Sequence, residues 1–217
     1  MPKRAHLAVT LAKQASQVAL GDKLRDSYGA GKGKGKSVEV QLRDQTARLD
    51  VLTPKGLSAA LRDWIWTLFE QNMRTLYETS SEGYNPAEKR NELFHPDSRF
   101  LILYTPALAD KPIGYCIFRF DTEETASDDD DELYDVAYEL QVDPAGQRQG
   151  VGRVLMEALE RIAKAWKMDK TMLTVFKANR EAILFYEKTG YTEDEVDPGN
   201  FGLDDDVDYW IMSKTIS

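Results

Sequence analysis

Residues 147–152 read Gln147-Arg148-Gln149-Gly150-Val151-Gly152, and their types and spacing point to phosphate binding. Two glycines one residue apart let a backbone approach a phosphate closely. A helix beginning there offers unpaired N–H groups and the positive end of its dipole. Arg148 adds charge-assisted bonds to phosphate oxygens. A dinucleotide-binding loop would carry a third glycine where this chain has Leu155. A nucleoside-triphosphate loop would run into Gly-Lys-Ser or Gly-Lys-Thr, and this one does not. Taken alone, Gly-x-Gly also describes a plain turn before a helix, so the flanking elements must decide.

Those elements are legible. Residues 134–142 read as a strand entering the turn. After it Val151, Val154, Leu155, Ala158, Leu159, Ile162 and Trp166 form one apolar helix face. Residues 171–176 (TMLTVF) read as a buried strand, 178–188 as a helix stopped by Gly190, and 207–212 as a last strand. Upstream, the spacing of Leu7, Ala8, Leu11, Ala15, Val18 and Ala19 predicts one helix ending at Gly21. The stretch 27–37 (SYGAGKGKGKS) is composed like a flexible tether. Val38, Val40 and Leu42 alternate as in a strand. Thr53-Pro54 opens an amphipathic helix with Leu61, Trp64, Ile65, Leu68, Met73 and Leu76 on one stripe, and a short helix follows Pro86. Residues 99–104 and 113–120 read as successive strands, joined through the Pro-containing stretch 106–111, and an acidic loop follows. The order predicts an α/β fold with a mixed central sheet flanked by helices. The expected organisation is an N-terminal helix and Gly/Lys linker over 1–36 and one domain over 37–217.

Composition narrows the class. With 42% hydrophobic residues in 217, the chain can build a real core, and no apolar run reaches the length of a membrane span. The start, MPKRAHLAVTLAKQ, lacks the pattern of a secretory signal. A single cysteine, Cys116, excludes an internal disulfide. The formal charge of −9 argues against direct nucleic-acid binding and favours basic partners. His6, His95 and Cys116 stand without metal-ligand spacing, so they read as structural and no metal is expected.

The parts in sequence, YELQVDP, the Gly-x-Gly turn with its helix, and TMLTVFKANREAILFYEKTGY, resemble the core of the GNAT acetyltransferase fold. Five further pieces resemble the NatD family, which acetylates the N-terminal amine of histone H4 and histone 2A. They are NMRTLYETSSEGY (72–84), FRFDTEE (118–124), AYELQV (137–142), MLTVFKAN (172–179) and DYWIMSK (208–214). The resemblance implies acetyl-CoA as cosubstrate and direct attack in a ternary complex. It places Leu140, Gln141 and Val142 on the pantetheine arm. Gln147, Arg148, Gln149, Gly150, Val151, Gly152 and Arg153 fall on the pyrophosphate, and Asn179 bonds the cosubstrate as its helix begins. Glu139 is the implied general base. Tyr186 falls near the CoA sulfur, or is a core aromatic with a bonded hydroxyl. Tyr77, Tyr138, Tyr209 and Thr174 match positions lining the peptide site. Asp121, with Thr122 and Glu123, is the implied contact for the arginine of a Ser-Gly-Arg-Gly end. Better-known members carry tryptophan where this chain has Glu82, so Tyr84 replaces its packing or Glu82 replaces it with charge. The implied partners are the tails of histone H4 and histone 2A, and the ribosome during synthesis. The implied places are cytoplasm and nucleus. A lysine or polyamine acceptor, or a histone-tail binder without catalysis, are the competing readings.

Overall fold

The structure is a computed structural model describing residues 4–29, 35–43, 45–106, 111–124, 131–203 and 207–216, with side chains described for these except 4–7, 123–124 and 131–138. Its frame is one eight-stranded sheet in the order β1-β2-β3-β4-β5-β6-β8-β7. The strands are β1 (Ser37–Leu42), β2 (Gln45–Leu52), β3 (Arg99–Thr105), β4 (Lys111–Glu124), β5 (Asp131–Val142), β6 (Lys170–Phe176), β7 (Thr192–Glu193) and β8 (Tyr209–Thr215). The helices are α1 (Arg4–Lys13), α2 (Gln17–Ser27), α3 (Ala59–Glu78), α4 (Pro86–Leu93), α5 (Val151–Ala165) and α6 (Arg180–Lys188). All neighbouring strands are antiparallel except β5 and β6, which α5 links as a parallel pair.

Two apolar layers cover the sheet. On one face Leu155, Leu159 and Ile162 of α5 pack with Cys116, Phe118 and Phe120 of β4, and with Val9 and Ala12 of α1 and Leu20 and Leu24 of α2. On the other face Ile65, Leu68 and Phe69 of α3 pack with Phe100, Ile102, Tyr115 and Ile117. The alternation in β4 therefore serves both layers, as expected for a strand covered on both sides. Helix α3 starts where Ser58 caps it, its hydroxyl accepting from Leu61 N–H, after a 3-10 turn at Pro54–Gly56.

Several expectations need correction. The N-terminal segment forms two helices, not one. Ser16 caps the second, and Gly21 lies inside it rather than ending it. Gly21 is there because the chain entering β1 crosses it: a Cβ would stand 2.2 Å from the Gly35 carbonyl oxygen. Ser27 ends α2, residues 28–29 form the turn after it, 35–36 bend into β1, which begins at Ser37, and 30–34 lie outside the described residues. Strand β2 was not anticipated. The acidic stretch is also less of a loop than expected: β4 runs on to Glu124 and β5 begins at Asp131, and residues 125–130 lie outside the described residues. Among the described residues no helix is long and apolar enough to cross a membrane.

Candidate active site

The site arises from a defect in strand pairing. Ile117 of β4 opposes Glu139 of β5, but Phe118 opposes Ala137, so Tyr138 is an extra residue, a β-bulge. The parallel ladder between β5 and β6 runs only from Tyr134↔Lys170 to Ala137↔Leu173. Beyond it β6 stays paired with β8 as far as Phe176↔Tyr209. Past the bulge, β5 and β6 therefore part, and the β6-facing edge of 139–142 has no strand partner. A cavity of about 930 Å³ opens there, lined by Glu139, Leu140, Gln141 and Val142 on one side and by Thr174, Val175 and Phe176 on the other.

One end of the cavity suits a polyanion. Gly150 is the N-cap of α5 at φ 92°, a left-handed conformation that favours glycine, and no side chain caps the helix. The first N–H groups of α5 are thus left for an outside acceptor. Gln147, Arg148, Val151, Gly152 and Arg153 line this end, together with Arg43 from the β1–β2 turn, which the sequence reading missed. Arg148 and Arg153 are 90% and 73% exposed; Glu181, 4.0 Å from Arg148, holds it weakly, and Arg153 donates to Glu157 at 2.9 Å in an exposed pair that an anion can compete for. Gly152 has a second reason to be glycine, since a Cβ would lie 3.2 Å from the Phe185 ring. Two expected contacts stand differently. Gln149 is outside the lining; its amide donates to the Ala145 carbonyl at 2.6 Å and braces the turn. Asn179 lines the cavity, but its Oδ1 accepts from Ala182 N–H at 3.3 Å, capping its own helix α6.

The other end is a buried polar network. Glu139 Oε1 accepts from the Gln141 amide at 2.5 Å, and Gln141 Oε1 accepts from Asn72 of α3 at 2.7 Å. Lys89 of α4 places its Nζ 3.6 Å from Glu139 Oε2 and 2.9 Å from Glu92 Oε1. Burial raises the Glu139 carboxyl above its ordinary value, against the pull of Lys89 and Gln141. Burial likewise opposes the Lys89 charge, but Glu139, Tyr77 and Glu92 outweigh it and keep the ammonium above the usual lysine range. Burial, reinforced by Glu139, pushes the Tyr77 phenol up to about 12. Tyr186 also lines the cavity, and burial holds its phenol far above the usual value, so it stays protonated at neutral pH.

Tyr77 stands edge-on to Phe176 with ring centroids 4.9 Å apart, bringing the end of α3 against β6. The α3–α4 connection is tied across to the start of β8, where Ser81 N–H donates to Asp208 Oδ2 at 2.7 Å and Ser81 Oγ to Oδ1 at 3.1 Å. Glu82 on this connection lines the cavity. Tyr209 does not, although it begins β8 opposite Phe176. Asp121 and Thr122 are also outside the lining, and Asp121 is paired with Lys13 of α1 at 3.1 Å. An ion pair with the chain's own N-terminal helix thus stands where a substrate guanidinium was expected. The side chains of Tyr138 and Glu123 lie outside those described.

A model of the acetyltransferase (GNAT) family matches residues 59–191, more than half of the chain. The chain belongs to the GNAT acetyltransferase family. It is an acyltransferase, its fold is the GNAT fold, and acetyl-CoA is its acyl donor. Solved structures of this fold are similar at low identity. The GNAT domain of S. lividans PAT is 20% identical, with TM-score 0.56, covering 82% of this chain and 96% of that one. The NatC complex bound to Gag peptide and CoA gives 16% and 0.53, covering 79% and 99%. Ard1 from Thermoplasma volcanium gives 18% and 0.52, covering 79% and 98%.

The residues present fit this GNAT cosubstrate. An uncapped helix start with three arginines around it suits a diphosphate, and a strand edge without a partner suits the amides of an extended arm. Among the described residues no group of three or more His, Cys, Asp or Glu could hold a metal ion. Lys89, Asn72 and Glu92 were missed. Asn72 carried a signal, being a polar residue at the next turn of the Ile65, Leu68, Phe69 stripe. The segment containing Lys89 and Glu92 carried none, because its burial comes from docking onto the sheet, where Arg119 of β4 donates to the Glu92 carbonyl.

Proposed function

We propose that this chain is an N-terminal α-amine acetyltransferase of the NatD type, acting on Ser-Gly-Arg-Gly ends such as those of histone H4 and histone 2A. The observation that carries the reading is Glu139, a buried carboxylate set at the bulge where β5 and β6 part. An α-amine titrates near ~7.7–8.0, so a carboxylate strengthened by burial suffices to draw off its proton. A lysine side chain, near ~10.4, would ask more of the same group. The connection that Ser81 ties to Asp208 carries Glu82 to the cavity lining, where a carboxylate suits a basic chain end.

The cosubstrate supplies an activated acyl group; the chain's residues do the rest. The first turn of α5, with Arg148, Arg153 and Arg43, holds the diphosphate. The free edge of 140–142 holds the arm. Glu139 takes the proton from the arriving ammonium. Tyr186, kept protonated, is placed to give a proton to the departing sulfur. Tyr77 and Thr174 flank the peptide end. Glu82 on the rim faces the arginine of the substrate, since Asp121 is engaged by Lys13. The acidic surface favours basic tails. Mass spectrometry of an H4 tail peptide incubated with the protein and acetyl-CoA tests this. Acetate on the terminal serine is expected. Acetate on lysine alone would move the acceptor, and tight binding without transfer would remove the catalysis.

A further inference from the structure

Lys89 is a charged side chain in an apolar place. Its side chain is 9% exposed, with Nζ 5.5 Å from the centroid of Phe69 and 5.0 Å from that of Tyr77. A lysine so buried stays only where its charge is answered. Two carboxylates answer it, Glu92 at 2.9 Å and Glu139 at 3.6 Å. Glu92 is 39% exposed, so the lysine bridges the solvent side to the interior.

We propose that Lys89 is a positioning residue for Glu139: its ammonium, anchored by Glu92 and set beside the rings of Phe69 and Tyr77, keeps the buried carboxylate ionised and turned toward the cavity. The proposal rests on Glu139 being the base. The surroundings leave that task to Lys89. Gln141 fixes one carboxylate oxygen with a neutral amide, itself fixed by Asn72. The other titratable groups acting at this point are Tyr77 on α3, Glu92 on α4, Tyr115 on β4 and Tyr186 on α6. None of them can carry a positive charge. Among the described residues Lys89 is the one cation acting on Glu139. Without it a buried carboxylate would face a second carboxylate and a ring of phenols, and would take up a proton instead. A protonated Glu139 accepts nothing from an incoming ammonium.

The test is the pH profile of kcat with saturating acetyl-CoA and H4 tail peptide for the wild type, Lys89→Met, Lys89→Arg and Glu139→Gln. In Lys89→Met the acidic limb should move up by about 1 pH unit or more. Below that limb the rate should fall about tenfold, while KM for acetyl-CoA changes by less than about twofold. Lys89→Arg should bring the limb most of the way back. A limb that stays in place while kcat drops makes Lys89 a packing residue and overturns the proposal. Should Glu139→Gln remain active, the base assignment fails and the proposal goes with it. An inactive Glu139→Gln beside an unmoved Lys89→Met limb sinks the proposal alone. If Lys89→Met does not fold, Lys89→Gln is read the same way. A titration of the Glu139 carboxyl by carbon-13 NMR, in wild type and variant without substrate, decides the point even if the peptide is not the acceptor: an unchanged midpoint refutes it.

Discussion

At the scale of single residues, Glu139 combines a cost to the fold with a use in chemistry. Its carboxyl sits above its ordinary value because it is buried. The folded state therefore loses stability as pH rises from the unfolded toward the folded value, and that loss is complete above both. Glu139→Gln removes that charge but leaves the buried Lys89 with Glu92 alone, so its Tm at pH 8 should not exceed the wild type's in calorimetry. The same change should lower kcat about 100-fold or more, with acetyl-CoA affinity held, as isothermal titration would show. A variant that keeps its activity would contradict this assignment. The two candidate acids for the substrate arginine can be separated as well. Glu82 lines the cavity, whereas Asp121 is held by Lys13. Glu82→Ala should raise KM for a Ser-Gly-Arg-Gly peptide about fivefold relative to Ser-Gly-Ala-Gly, and Asp121→Ala should change that ratio less. The reverse order would return the contact to Asp121.

At the scale of elements, what could be read ahead of the structure followed from periodicity, and what could not followed from packing between distant segments. Helix α5 was legible because Val151, Leu155, Leu159 and Ile162 repeat at helical spacing and all lie buried. Strand β6 was legible because a short β-branched run sits between turns. Strand β2 was missed: Arg48 and Asp50 interrupt its apolar run, and they are accommodated by a cross-strand cluster with Ser37 and Lys36 rather than by any pattern of its own. The Gly-x-Gly turn was found from spacing, but the buried Lys89, Glu92 and Asn72 network depends on α3 and α4 meeting β5, which spacing does not encode. Gly21 shows the same limit, since its reason is Gly35, fourteen residues on. Gly21→Ala should cost about 1–3 kcal/mol, lowering Tm by roughly 3–10 °C, with kcat unchanged. An unaltered Tm would mean that the crossing of β1 over α2 is not as close as described.

At the scale of the whole molecule, the net charge of −9 sets how partners approach. A basic tail should be steered toward it, so kcat/KM for an H4 peptide should fall several-fold between about 50 and about 300 mM salt. A peptide with its basic residues neutralised should show a flat response. Helices α1 and α2 belong to the same core as α5, so the segment before β1 supports the helix that starts at the diphosphate end. The join between β5 and β6 spans four residue pairs and then stops. An open sheet has two outer margins; this one also has an inner margin, a seam whose two lips face each other across the interior. Any extended molecule bearing amides can be stitched into such a seam as though it were a ninth strand. A donor laid along it would end its last stitch beside the bulge, next to Glu139.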